Sequence, residues 1–457
     1  MKKIILCCVI NLILINLNAQ DLIIKGGFYF DGHKKEMVKN DGILIISGKL
    51  LSIDGVKDTD NIPVIYLDNS DYILPGIIDV HAHYKVHISG KEKTDTASLP
   101  KIYLANGVTT TFTAGELEPE KIINLKKQVN QNQRQGPRIF NAGPYFGNDA
   151  NSVNKYWKQG YSQKEIEELV DTWAAKGIHG IKVKNVSPSE LKIIIQRAHL
   201  HGLTVTGHLD SGFNETVNSD EAINMGIDRV EHFLGGSILS DSISAYNTLA
   251  KANPLDIRLD SIINKFIHKQ IFFSPTISTY GMVGNSKDKE LSDWIDQLKF
   301  FTSYASKTIE NQPSGLPFQL MMNSIYEYKK YEIKRFYDAG GQDLILLGTD
   351  RQLRNGDIGG FAVHKEMSVL SNCGIPNIDI LNIASINGAN ALGVGNFLGS
   401  IEVGKWADLY IVKGNPIQDI EYTKNVHIVI KNGKTYDPKA LLDSVVKKLG
   451  PENSEDW

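Results

Sequence analysis

The feature that most limits what this chain can become is a regular alternation through its middle. Short apolar, strand-like runs recur at 77–80, 108–112, 138–141, 181–183, 203–206, 229–230, 271–273 and 344–347. Between most of them lie stretches with apolar residues at helical spacing, of which 164–176 and 187–201 are the clearest. Strands that alternate with helices pair in parallel, because each crossover returns the chain to the same end of the sheet. Eight such units predict a (β/α)8 barrel of the TIM type. A doubly wound open sheet is the competing architecture, but no glycine-rich phosphate loop follows the first strand to support it.

Two β-rich segments flank this region. On the N-terminal side, runs at 22–24, 42–46 and 64–67 are separated by Gly26-Gly27, Ser47-Gly48 and Asp68-Asn69-Ser70. On the C-terminal side, runs at 407–412 and 426–430 are followed by the tight-turn pair Asn432-Gly433. Neither segment has enough strands for a closed core, so the two are expected to pair into one small β-sandwich. The predicted order is sandwich (20–72), barrel (73–396), returning sandwich (397–440) and a tail (441–457). Between the seventh and eighth runs, residues 278–342 form a long, partly helical insertion carrying Trp294, Phe300, Phe301 and Tyr304. Long βα insertions sit over the mouth of a barrel, as packed decoration, as a substrate-shaping lid, or as both.

Residues 1–19 read as a secretory signal peptide rather than as part of the fold. Lys2 and Lys3 make a basic start, 4–17 is apolar except for Asn11 and Asn16, and Ala19 offers a small residue for cleavage. An anchoring helix ranks second, because the run falls short of the ~20 residues a span needs and lacks a basic flank after it. Cys7 and Cys8 lack the small residues before them that a lipid anchor would show. Export to the periplasm, or full secretion, is expected. Loss of Lys2 and Lys3 lowers the formal net charge of −3 by two, to −5. That mild acidity offers no basic footprint for nucleic acid. Of three cysteines only Cys373 would remain, which excludes an intrachain disulfide and a cysteine zinc site.

The strongest chemical signal is Gly76-Ile77-Ile78-Asp79-Val80-His81-Ala82-His83. Two residues apart on a strand, His81 and His83 share one face and can reach one metal. Alone the pair is weak, but it ends an apolar strand where the active rim of a barrel would lie. His208, His232 and Asp350 also close strand-like runs. Singly, each has an ordinary explanation: a loop cap, a satisfied core histidine, a helix N-cap. Together at the same ends of successive strands, they are hard to explain that way.

These residues carry a resemblance. The chain resembles the amidohydrolase superfamily, in the branch of imidazolonepropionases and prolidase-like metallopeptidases, from about residue 22 to residue 437. The likeness rests on 74–83, Gly107-Val108-Thr109-Thr110, 177–182, Val230-Glu231-His232, Gly348-Thr349-Asp350 and 399–409. It implies His81 and His83 on one divalent cation, His208 and His232 on a second, and Asp350 on the first cation as proton shuttle. Lys182 matches a lysine that becomes N6-carboxylysine in two-metal members, supplying an anionic bridge between cations that would otherwise repel. A plain ion-paired lysine is the alternative, and Lys184, on the same face by strand period, competes for the role. Thr113 stands where many relatives have aspartate, and His179 where an acid often precedes the lysine by three.

The implied chemistry is hydrolysis of a C–N bond in an amide, a peptide-type bond or a cyclic amide. The metals acidify a water and polarise the carbonyl, while Asp350 moves a proton from the water to the departing nitrogen. Zinc suits the donors, with manganese or iron as alternatives. The rivals are an ester, lactone or phosphotriester hydrolase on the same centre, a mononuclear deaminase that leaves Lys182 unused, and a catalytically inactive ligand-binding barrel. All six expected positions are filled, which argues against the last. His87, Arg351 and His364 are candidates for touching substrate, with Tyr84, Arg354 and Glu366 weaker; Arg351 and Arg354 could hold a carboxylate bidentately, with surface salt bridges as the simpler reading, and a solvent-facing helix is the simpler reading of Glu366. The expected partner is a small amide or short peptide, with no membrane after leader removal; a homo-oligomer is left open.

Overall fold

Runs rich in β-branched and aromatic residues make the N-terminal segment a set of short strands. The computed structural model describes residues 20–53, 55–57, 61–147, 154–158, 160–311, 315–351 and 357–457. Residues 1–19, which carry the signal-peptide reading, lie outside the described residues. The first strands are β1 (Leu22–Lys25), β2 (Phe28–Tyr29), β3 (Val38–Lys39), β4 (Ile43–Ile46), β5 (Lys49–Ser52), β6 (Val64–Tyr66) and β7 (Asp71–Pro75). After them come β8 (Ile77–Ala82), the hairpin β9 (Lys85–Ile88) and β10 (Lys91–Thr94), β11 (Val108–Thr113), β12 (Arg138–Asn141) and β13 (Tyr145–Phe146). Next are β14 (Gly180–Lys184), β15 (Thr204–His208), β16 (Arg229–Glu231) and β17 (Phe272–Ser274); β18 (Leu409–Lys413), β19 (Val426–Lys431) and β20 (Lys434–Tyr436) close the series.

The two flanking segments build one sandwich. One sheet has the order β5-β4-β1-β6, the other β20-β19-β18-β7-β2-β3. The second is a joint product of both ends of the chain: β18 runs antiparallel to β7, with Leu409 opposite Pro75 and Lys413 opposite Asp71. Period-two residues meet between the sheets, with Leu22, Ile24, Ile43 and Ile45 packing with Ile73, Leu409, Ile411 and Ile430. The strand β7 is not among the runs read from the sequence. Pro75 sits at its last position, and Gly76 N still donates to Asp408 O at 2.8 Å.

The barrel ring is made of β8, β11, β12, β14, β15, β16, β17 and a segment at 345–347. Parallel pairing runs β12-β11-β8 and β13-β14-β15-β16-β17. His179 N to Asn141 O (2.8 Å) joins the two sheets. The eighth segment bonds both neighbours, through Leu346 N to Phe273 O (2.9 Å) and Val80 N to Leu347 O (3.0 Å), and so closes the ring. The helices Gln163–Ala175 and Pro188–Leu200 begin with capping boxes, Ser162 with Glu165 and Ser187 with Glu190. The insertion contributes the helices Ile277–Val283, Ser303–Glu310 and Leu316–Phe336. Among the described residues no helix is long and apolar enough to cross a membrane.

Candidate metal centre

In a parallel barrel all strands deliver their C-terminal ends to one rim. On β8 the two-residue period puts Asp79 and His81 on one face, with His83 just beyond the strand, and all three are buried. The β14–β15 register sets Lys182 beside Thr206 and Lys184 beside His208. Glu231 ends β16 opposite Ser274, and His232 follows it. His232 (φ 74°) and Asp350 (φ 46°) both have left-handed backbone, which costs a non-glycine residue about 1–3 kcal/mol and clusters at functional sites. At these strand ends the chain turns sharply, and both side chains line the cavity above the barrel.

The distances bring five of the six expected ligands together. Asp350 Oδ1 lies 3.3 Å from His81 Nε2 and 3.0 Å from His83 Nε2. Ligand atoms of His81, His232 and Asp350 all lie within 4.8 Å of one another. The His208 and His232 ring centres are 4.3 Å apart, and those of His81 and His232 4.9 Å. Lys182 is the sixth. Its side chain is buried, and Nζ presses against the Glu231 carboxylate with no normal hydrogen bond among the described residues. Glu231 Oε1 accepts from Thr206 Oγ1 at 2.8 Å, and its Oε2 faces His81 Nδ1 at 3.4 Å. Lys184 also lines the cavity, at the level of His208.

Burial governs the charge states. It pushes His81 down to about 3, aided by the Lys182 charge. Burial likewise lowers His83, and it holds His208 and His232 well below the usual imidazole range. The Lys182 amine is depressed by the same cause. Burial alone would raise Asp350, but the charge of His81 and hydrogen bonds from His81 and His83 outweigh it and hold the carboxyl well below its ordinary value. Neutral imidazoles with free lone pairs and an ionised carboxylate are the forms that bind divalent cations. His81 Nδ1, Lys182 Nζ and Glu231 Oε2 are buried without a hydrogen bond among the described residues, so the donor set fits a metal better than a self-contained polar core.

Support comes from residues that sequence reasoning did not assign. Asp79 Oδ1 accepts from His81 N (2.9 Å) and Thr349 N (3.1 Å), and Oδ2 from Thr349 Oγ1 (2.7 Å). It thereby ties the first strand to the eighth and sets His81 against Asp350. Thr276 Oγ1 bonds His232 Nδ1 at 2.8 Å. Asp79 could have been suspected, since it shares the face of His81; Thr276 carries no such signal.

The cavity over the centre has a volume of about 700 Å³. Lys85, His87, Lys184 and Arg351 contribute cationic or polar lining, and Val283, Phe318, Met321 and Met322 an apolar side. The insertion contributes both to the cavity lining and to packing: Phe318 and Met321 reach the cavity, whereas Phe300 and Phe301 are buried. His87 lines the cavity with Nδ1 bonded to Glu92 Oε1 at 2.8 Å.

Other expectations need correction. His364 does not line the cavity: the helix Gly359–Asn372 buries it, and its ring contacts Thr423 Oγ1 and Asn106 O, both at 3.1 Å. Glu366, on the same helix, faces no solvent and accepts from Ile277 N (2.8 Å) and Ser278 N (2.7 Å). Arg351 makes no surface bridge; it is buried against Asp357, Nε to Oδ2 2.7 Å. Tyr84 is buried, with its hydroxyl 2.9 Å from Thr111 Oγ1. Arg354 lies outside the described residues.

The amidohydrolase family matches residues 72–436 of the chain. N-acetylglucosamine-6-phosphate deacetylase of Bacillus subtilis (strain 168) is 22% identical over 404 residues, covering 84% of this chain and 91% of the relative. A Xaa-Pro dipeptidase with bound methionine in its active site superposes with a TM-score of 0.69 at 20% identity, covering 92% of this chain and 100% of that one. Molinate hydrolase gives 0.69 at 17%, covering 95% and 98%. The barrel with its accompanying β-sandwich is the fold these proteins share.

Proposed function

The chain belongs to the amidohydrolase family, and on that premise we propose that it is an exported enzyme that cleaves an amide, peptide-type or cyclic amide bond at a centre of two divalent cations. It is a metal-dependent hydrolase acting on carbon–nitrogen bonds. One observation carries the finer reading: His81, Lys182, His208, His232 and Asp350, from five different strand segments, line one cavity, and His83 meets Asp350 beside them.

His81, His83 and Asp350 would hold one cation, and His208 and His232 the other, with zinc the natural choice for these donors. Lys182 would lie between them as a carbamate, whose negative charge offsets the repulsion of adjacent cations. Bound cations of this kind supply Lewis acidity and a water acidified towards neutral pH. The chain supplies the proton path. Asp350, ionised and held by two imidazoles, accepts a proton as water adds to the carbonyl carbon. It returns that proton to the nitrogen, without which an amide nitrogen is a poor leaving group. The apolar side of the cavity, Val283, Phe318, Met321 and Met322, suits a small organic side group.

Metal analysis of purified protein should find about two ions per chain, as expected for a two-metal hydrolase. A screen of dipeptides, N-acyl amino acids and lactones with zinc or manganese should reveal turnover that Asp350→Asn lowers by about 10²–10⁴. No bound metal after supplementation, or full turnover in the variant, would overturn the reading. Export predicts a processed N-terminus after Ala19 in an extracytoplasmic fraction.

A further inference from the structure

Arg351 follows the proton shuttle directly, lines the same cavity and is only 4% exposed. Its Nε meets Asp357 Oδ2 at 2.7 Å, and Nη1 donates to Thr279 Oγ1 at 3.3 Å. Nη2 is buried and has no hydrogen-bond partner among the described residues. A buried guanidinium donor left unfilled is costly, so an acceptor at this place would be strongly favoured.

The neighbouring acids are already engaged. Asp357 is shared: Oδ1 accepts from Lys365 Nζ at 2.8 Å and from Gln297 Nε2 at 3.3 Å. Glu92 serves Lys85 (3.0 Å) and His87 (2.8 Å). Asp210 Oδ1 accepts from Ser211 N and Ala245 N, both at 2.7 Å. Arg351 is thus anchored along one edge, with part of its fork left for a ligand. A carboxylate matches that fork better than any neutral group.

We propose that Arg351 is a specificity-determining residue that holds a substrate carboxylate, so that the enzyme prefers N-acyl amino acids and dipeptides with a free C-terminus over neutral amides. This rests on the hydrolase reading of the same site. In such substrates the scissile nitrogen and the carboxylate flank one carbon, just as the proton shuttle and the carboxylate holder are consecutive residues. Water adds to the carbonyl carbon and the C–N bond breaks. The acyl half leaves as a carboxylate, and the amine keeps the proton delivered by Asp350 while its own carboxylate stays on Arg351.

The test compares N-acetylleucine with its decarboxy analogue, N-(3-methylbutyl)acetamide, on the metal-loaded enzyme. Wild type should prefer the acid by about 10²-fold or more in kcat/KM. In Arg351→Gln that preference should fall at least about tenfold, with the analogue changed by less than about threefold. Equal loss on both substrates, or an unchanged preference, assigns Arg351 to structure alone and overturns the proposal. Where Arg351→Gln does not fold, Arg351→Lys is used: it should bind free leucine about tenfold more weakly by calorimetry, and wild-type affinity would overturn the proposal. If wild type hydrolyses neither substrate, turnover of the other amides and dipeptides in the screen decides the hydrolase reading separately. Calorimetry then decides the carboxylate assignment, and equal affinity for leucine and 3-methylbutylamine overturns it.

Discussion

Glu366→Gln is a near-isosteric change that tests whether a buried carboxylate builds the cavity wall. Its two oxygens accept separate backbone N–H groups, Ile277 N at 2.8 Å and Ser278 N at 2.7 Å. These open the helix Ile277–Val283, which places Thr279, Tyr280 and Val283 on the cavity lining. Glutamine has one acceptor oxygen, and its NH₂ group would face the other N–H. One buried donor then loses its partner, at about 1–3 kcal/mol, and the remaining bond loses its charge assistance, at about 1 kcal/mol. Against this, burial raises the Glu366 carboxyl, so the ionised form already carries a desolvation cost that glutamine avoids. The balance is a loss of about 2 kcal/mol. Urea titration followed by tryptophan fluorescence should show a lower midpoint at unchanged slope. KM should rise while metal content stays constant, because the helix shapes the cavity without holding a ligand. A variant with wild-type midpoint and wild-type KM would refute the claim that this carboxylate secures the wall.

Three further changes follow the same reasoning. Thr276→Val removes the hydroxyl 2.8 Å from His232 Nδ1 and should weaken zinc binding about 10–100-fold in chelator competition; unchanged affinity would show that the bond does not orient the ring. Lys431 is buried, and burial followed by the Arg138 charge lowers its amine from 10.5 to about 8. Its charged form therefore costs the fold roughly 3 kcal/mol below pH 8, a cost relieved as pH rises towards 10.5. Lys431→Met should accordingly raise the melting temperature at pH 7 and flatten its rise between pH 8 and 10, and a destabilised variant at pH 7 would contradict this. Gly360→Ala would put a Cβ 2.7 Å from Ile102 O, against backbone that cannot swing aside, and should cost about 1–3 kcal/mol by denaturant titration.

How much of this could be read from sequence depends on where each residue's partners lie. The barrel and its candidate ligands were legible because topology does most of the placing. Once a strand runs parallel to its neighbours, its C-terminal end must reach the common rim, so His81, His208, His232 and Asp350 could be found by where their apolar runs stop. The eighth run, 344–347, was legible for the same reason although it makes few ladder bonds. The helix Gly359–Asn372 shows the opposite case. Glu366 reads as a solvent-facing helix residue and His364 as a candidate for touching substrate, yet residues 359 to 370 are all buried. The partners of His364 and Glu366 are Thr423, Asn106 and the backbone of Ile277 and Ser278, all distant in sequence. Gly359 and Gly360 permit this burial, since a Cβ at either would strike Tyr103 or Ile102. For Arg351 a surface salt bridge was the simpler of two readings; its partner Asp357 is close in sequence, but no period shows that the pair is buried. Metal ligands are set by strand order, which sequence period reports. Substrate-facing and supporting residues are set by tertiary pairing, which it does not report, and this is why the reaction class can be argued from the chain while the choice of substrate cannot.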